Sequence, residues 1–226
     1  MKILETGFVL GVIAAALGGC SKQESGATML NAKNDRQLAP VVQRAEDVKP
    51  LEVGDQVPDA VLVLPEGATE KFSAVYRSHP TVLIFYRGGW CPYCNRHLAE
   101  VGSVESQLRG MGYQIVAVSP DSPLSLRESL SKEALGYRLY SDSDMVLARG
   151  FGLAFHVDDA TVELYKGYGI DLDKATGRPH HDLPVPAVFI VDQGGTIRYA
   201  HTNPDYKARL SAQEILSAAE SAKGAR

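Results

Sequence analysis

The stretch YRGGWCPYCNRH, Tyr86 to His97, sets two cysteines at the start of a helix-compatible run. Just upstream, Thr81 to Arg87 (TVLIFYR) is a nearly continuous apolar, β-branched and aromatic segment, as in a strand buried on both faces. Gly88 and Gly89 turn the chain. From Pro92, the positions Leu98, Val101, Val104 and Leu108 recur at three- and four-residue steps, which predicts a helix to Leu108 that Gly110 and Gly112 end. The strand-to-helix junction therefore falls on the cysteines. Cys91 sits at the helix N-terminus, with Pro92 in the first turn, where its missing N–H costs nothing. Unpaired backbone N–H groups and the helix dipole stabilise a thiolate there. Cys94 lies one turn on, on the same face, close enough to close a small disulfide ring. Cys91 is the expected attacking thiol and Cys94 the resolving one.

Two other uses of a Cys-x-x-Cys fit less well. A metal site needs two more ligands, and no second such pair exists; His97, or His180 with His181, does not give a zinc-finger spacing. A structural staple across so short a step constrains the unfolded chain little. Electron transfer through a dithiol–disulfide pair, without metal or organic cofactor, is the expectation.

Outward from this junction the elements alternate. Ala60 to Leu64 is a strand candidate after the Gly54 and Pro58 turn. Tyr113 to Ser119 (YQIVAVS) is a second buried strand, Ser125 to Leu135 a helix, Tyr137 to Asp142 a short strand and Met145 to Phe151 a short helix. Strand and helix in alternation imply parallel neighbours joined by crossovers. PAVFIVDQGGTIRYAHT then reads as strand, Gly-Gly turn, strand, and Ser211 to Ala222 as a closing helix. Between the halves, residues 157–183 read as an irregular insert.

The chain has 226 residues, 45% hydrophobic and 22% charged, with net charge -4; that suits one folded domain with tails and gives no basic footprint for nucleic acid. Gly7 to Gly19 is apolar or small, shorter than the ~20 residues that span a bilayer, and fits a signal-peptide core. It ends LGGC, Leu17 to Cys20, which resembles a bacterial lipobox with Cys20 as the lipidated residue. The expected organisation is a signal peptide over 1–19, a tether over 20–48 and a domain over 49–226. Ser21, not aspartate, follows the cysteine and favours the outer membrane slightly; the protein is expected in the cell envelope, on the periplasmic side, held to the membrane by the N-terminal lipid.

WCPYC resembles the active site of the thioredoxin fold, and LPVPAVFIVDQGGTI (183–197) resembles its Val-Pro strand entry. The segments VGDQVPDAVL, IVAVSPDSPLS and YRLYSDSDMVLARGFGL resemble the AhpC/TSA peroxiredoxin and redoxin family, and the likeness runs from about Leu51 to Leu216. The resemblance implies an α/β, thioredoxin-like three-layer fold with a central mixed sheet flanked by helices. It also implies that Pro186 is a cis-proline and that the Val185 backbone faces the cysteines and pairs with substrate. Trp90 is expected to cover the disulfide, against a simple role in the core.

Two departures bear on activity. The family's peroxidases carry Pro-x-x-x-Thr/Ser-x-x-Cys; three residues before Cys91 is Gly88, and three before Cys94 is Cys91. Thioredoxins keep a buried acid six residues before the first cysteine; here that residue is Phe85. Asp121 is a candidate for part of that role, against its use as a turn former after Pro120. Arg87 is a candidate for lowering a thiolate pKa or steering an anionic substrate, while His97 is expected to be a partly exposed helix residue. The leading expectation is a thiol-disulfide oxidoreductase acting on a protein disulfide or dithiol. The alternatives are a peroxidase renewed by a thiol reductant, with Cys91 oxidised to sulfenic acid and Cys94 resolving it, and a non-catalytic binding module.

Overall fold

Period-two burial in the central strands decides the layering. In β3 (Thr81–Phe85), Val82 and Ile84 join one core, Leu83 and Phe85 the other. In β4 (Gln114–Ser119), Ile115 and Ala117 face the first core, Val116 and Val118 the second. In β8 (Ala187–Val191), Val188 and Ile190 split from Phe189 and Val191 in the same way. A sheet apolar on both faces must be covered on both, which gives three layers.

The computed structural model describes residues 38–130 and 135–224. The expected signal peptide and Cys20 lie outside them, as do residues 131–134 of the helix expected to Leu135; Leu135 itself is not helical. In chain order, β1 (Val61–Val63), β2 (Thr69–Lys71) and α1 (Phe72–Ser78) precede β3; α2 (Pro92–Gly102) and α3 (Glu105–Gly110) precede β4. Next come α4 (Pro123–Leu130), β5 (Arg138–Ser141), α5 (Val146–Gly150), β6 (Ala154–His156), α6 (Asp159–Gly167), α7 (Leu172–Thr176) and β7 (Asp182–Pro184). After β8, β9 (Ile197–Thr202) and α8 (Ala212–Gly224) complete the unit.

The main sheet has the strand order β2-β1-β5-β4-β3-β8-β9. β3, β4 and β5 are parallel; β8, β9, β1 and β2 join antiparallel. This is the mixed-sheet, thioredoxin-like α/β architecture expected from the sequence. One face is packed by α2, α3 and α8; the other holds Phe72, Phe85, Phe151 and Phe189, with Phe151–Phe189 ring centroids 4.9 Å apart.

Several expected boundaries change. The helix read from Pro92 to Leu108 breaks at Ser103 and Val104 into α2 and α3. The 157–183 segment is not irregular: Asp158 caps α6 by accepting the Thr161 N–H, Asp171 caps α7 by accepting the Lys174 N–H, and β7 pairs β6. The folded part also begins before residue 49. Val42 donates its N–H to the Ala154 carbonyl (3.2 Å), its carbonyl accepts the His156 N–H (2.8 Å), and Arg149 Nε donates to the Ala39 carbonyl.

Candidate redox site

β3 delivers Tyr86 and Arg87 to the sheet's carboxyl end, and the glycine turn hands the chain to α2. Cys91 is the N-cap of α2, with extended backbone (φ -92°, ψ 112°), and its carbonyl accepts the N–H of Cys94 at 3.0 Å. Both cysteines are free thiols and almost wholly buried, 1% and 0% exposed. The Cys94 thiol donates to Cys91 and its backbone N–H adds a second bond; with Arg87 and Arg209 nearby, these outweigh burial and hold Cys91 down at about 6. Burial and the adjacent Cys91 push Cys94 well above the ordinary thiol range, although Arg209 Nη2 lies 3.5 Å from its sulfur. One thiol is thus ionised at neutral pH while its partner stays protonated, the polarity expected for attack by Cys91.

Gly88 explains the missing hydroxyl. Its φ is +147°, and a Cβ there would stand 2.3 Å from Trp90 Nε1 and 2.8 Å from Asp121 Oδ1. Neither Thr nor Ser fits while the indole lies across the turn. Trp90 is partly buried, packed between two cores, with its ring 5.8 Å from Tyr165. It lies across the Gly88 turn leading into Cys91.

Asp121 is a built element of the site, more than a turn former. It is 1% exposed, its Oδ2 accepts the Gly89 N–H at 2.7 Å, and burial pushes its carboxyl up to about 7 against that bond. The nearby Cys91 adds to the rise. Arg87, 4% exposed, donates to the Tyr165 hydroxyl and lies 4.2 Å from the Tyr206 ring, 5.0 Å from Trp90 and 5.5 Å from Tyr165.

The Val-Pro turn differs from expectation. Among the described residues no peptide bond is cis, so the Val185–Pro186 bond is trans. The Val185 N–H already donates to the Leu153 carbonyl at 2.9 Å, which leaves it unable to pair an incoming strand. Pro186 instead lines a cleft with Arg87, Tyr165 and Tyr206. His97 is buried, 5% exposed, with Nε2 2.9 Å from the Leu210 carbonyl. His180 meets the Ser143 carbonyl and the Asp182 N–H in a loop next to β7. Sequence reasoning missed Arg209, Tyr165 and Tyr206, since none sits in a motif and each reaches the site only through the fold.

The family model described as AhpC/TSA family matches residues 53–200. The chain belongs to the AhpC/TSA family. It is an oxidoreductase of the peroxiredoxin-like type. Over 108 residues it is 30% identical to "Putative peroxiredoxin bcp" of Haemophilus influenzae, covering 47% of this chain and 68% of that relative. Among solved structures it resembles peroxidoxin BcpB from Mycobacterium tuberculosis, with 17% identity and TM-score 0.60 over 78% of this chain and 99% of that one. Reduced Prx3 from Vibrio vulnificus, solved with hydrogen peroxide, gives 17% identity and TM-score 0.62 over 75% and 96%. At such identities these two likenesses concern the fold alone.

Proposed function

We propose that this member of the family is a thiol-dependent peroxidase that works through Cys91, with Cys94 resolving. The unequal thiol pair carries the reading: Cys91 held near 6 and Cys94 kept protonated one turn away. A Cys91 thiolate attacks the peroxide oxygen, the O–O bond breaks, and the departing alkoxide or hydroxide takes a proton. Cys91 becomes a sulfenic acid. The Cys94 sulfur then attacks it, and its proton leaves with the hydroxyl as water. The resulting Cys91–Cys94 disulfide is returned to dithiol by a thiol reductant. A relative named as a putative peroxiredoxin favours this use of the pair over plain exchange.

Gly88 favours a second reading, thiol-disulfide exchange. Peroxide cleavage gains from hydrogen-bond donors placed over the breaking bond, and the Gly88 turn has no room for the usual hydroxyl. Stopped-flow fluorescence of Trp90, the only tryptophan, separates the two. Reduced protein is mixed with hydrogen peroxide or with a small disulfide at matched concentration and pH. Peroxide is expected to oxidise the pair at least as fast as the disulfide; a disulfide reaction clearly faster than peroxide would hand the site to exchange.

The lipobox-like LGGC supports a further part of the reading, in which the mature chain starts at Cys20 and is held to the envelope by lipid. Cys20→Ala is expected to end incorporation of a palmitate analogue and to release the protein from the membrane fraction. Unchanged labelling would rule the anchor out.

A further inference from the structure

Beside the redox pair lies a cleft of about 300 Å³ bounded by Arg87, Phe155, Tyr165, Pro186, Pro204 and Tyr206. Its size and its aromatic and proline walls suit a small organic ligand. Among its polar groups is a guanidinium in an unusual state. Arg87 is 4% exposed, yet among the described residues it forms no ion pair with a carboxylate. Its Nε is buried without a hydrogen-bond partner. A buried charge is costly unless paired and hydrogen-bonded. The three rings around Arg87 stabilise the face of the cation. They do nothing for donors in the guanidinium plane, where an anion binds in a fork.

We propose that this cleft binds the carboxylate of a small organic substrate, with the Arg87 guanidinium as anchor and the aromatic walls holding its apolar body. Tyr165 adds a second donor. Its oxygen accepts from Arg87, so its own O–H hydrogen is left to donate. The rim limits the charge. Glu46 and Asp158 border the cleft, with Asp158 committed to capping α6 through the Thr161 N–H and hydroxyl. Arg44 on the same rim is taken by Asp47 at 3.0 Å, and His156 by Asp182 at 2.9 Å. A second negative charge would meet the rim carboxylates, so the fit is to a monoanion. The cleft adjoins the reacting thiol through Arg87, whose charge acts on Cys91, and through Trp90, whose ring packs at a tilt against Tyr165. Assigning the ligand as substrate rests on the redox reading above; its binding does not.

Titration of reduced, full-length protein with hexanoate, followed by Trp90 fluorescence, tests the cleft without any turnover. Hexanoate is expected to give a saturable change, while methyl hexanoate, equal in apolar body and lacking the charge, binds at least tenfold more weakly. Arg87→Met, close in shape and uncharged, should abolish that preference. Should Arg87→Met not fold, the acid-against-ester comparison on the unaltered protein still decides. Equal binding of acid and ester, no saturable response to hexanoate, or a preference surviving in Arg87→Met would overturn the proposal. If hexanoate binds as expected, an organic hydroperoxide and a thiol, each with and without a carboxylate, then show which substrate carries the charge. Carboxylate preference only with the hydroperoxide places it on the oxidant; only with the thiol, on the reductant. Saturable hexanoate binding with neither half-reaction responding to a carboxylate would leave the redox reading standing and sink the substrate assignment.

Discussion

The Cys94 thiol contributes more to holding Cys91 ionised than its backbone N–H or the two arginines do, and burial opposes them all. The helix N-terminus sets the stage, but a specific donor decides the outcome, and that separates two substitutions. Cys94→Ser keeps an O–H donor, so Cys91 should still titrate near 6. Cys94→Ala removes it, and Cys91 should move up toward its ordinary value of 9.0. Thiolate absorbance against pH reads both directly. Cys94→Ser should also accumulate partner proteins as mixed disulfides, because attack persists and resolution is lost. Identical Cys91 titrations in the two variants would remove Cys94 as the controlling donor. The pair was legible in the sequence because spacing three on a helix brings side chains together. Arg209 was not: it reaches Cys94 across 115 residues of chain, and no local pattern marks it. Asp121 was half legible, since Ser-Pro-Asp reads as a turn and only the fold brings its carboxylate under the Gly89 N–H.

β3, β4 and the β8–β9 hairpin were plain from β-branched runs and a Gly-Gly turn, because strands buried on both faces carry little else. Shorter elements were lost. β2 has three residues and a mostly exposed pattern, and α1 follows with no side-chain cap. The break between α2 and α3 is invisible to periodicity, because Val101, Val104 and Leu108 all remain buried across it. α6 and α7 did leave signals: an aspartate cap on each and, after α7, Gly177 in the left-handed region at φ 69°. Each helix is too short for apolar periodicity to stand out, so the segment read as loop. It nevertheless supplies Tyr165 to the Arg87 cage, and the site is incomplete without it. The Val-Pro entry was read correctly as the approach to a strand, but a motif does not fix the peptide isomer, and here the Val185 N–H is taken up by Leu153.

Two buried carboxyls tie the stability of the whole molecule to pH. Burial pushes Asp121 and Asp142 up to about 7, although Asp142 accepts the N–H groups of Leu147 and Ala148 at the start of α5. Unfolded, each would titrate near its ordinary value of 3.8. Between those values the folded state binds more protons than the unfolded, so stability falls as pH rises from about 4 to about 7. By linkage each shift corresponds to roughly 4 kcal/mol at most. His97, held below its ordinary value by burial, works the other way under pH 6.5 and takes back part of the fall. Cys91 also has the opposite sign: held at about 6 against an ordinary 9.0, it adds stability as pH climbs through that range. That contribution exists only in the dithiol form, because the disulfide has no proton to release. Urea midpoints of reduced protein are therefore expected to fall between pH 4.5 and 7 and recover toward pH 9. Oxidised protein should fall without recovering. Asp121→Asn, whose amide oxygen can still accept the Gly89 N–H, should gain on the parent by a few kcal/mol between pH 4.5 and 7.5. Parallel curves for the variant and the parent over that range would mean that Asp121 is ionised throughout, and its place beneath the redox turn would then be purely structural.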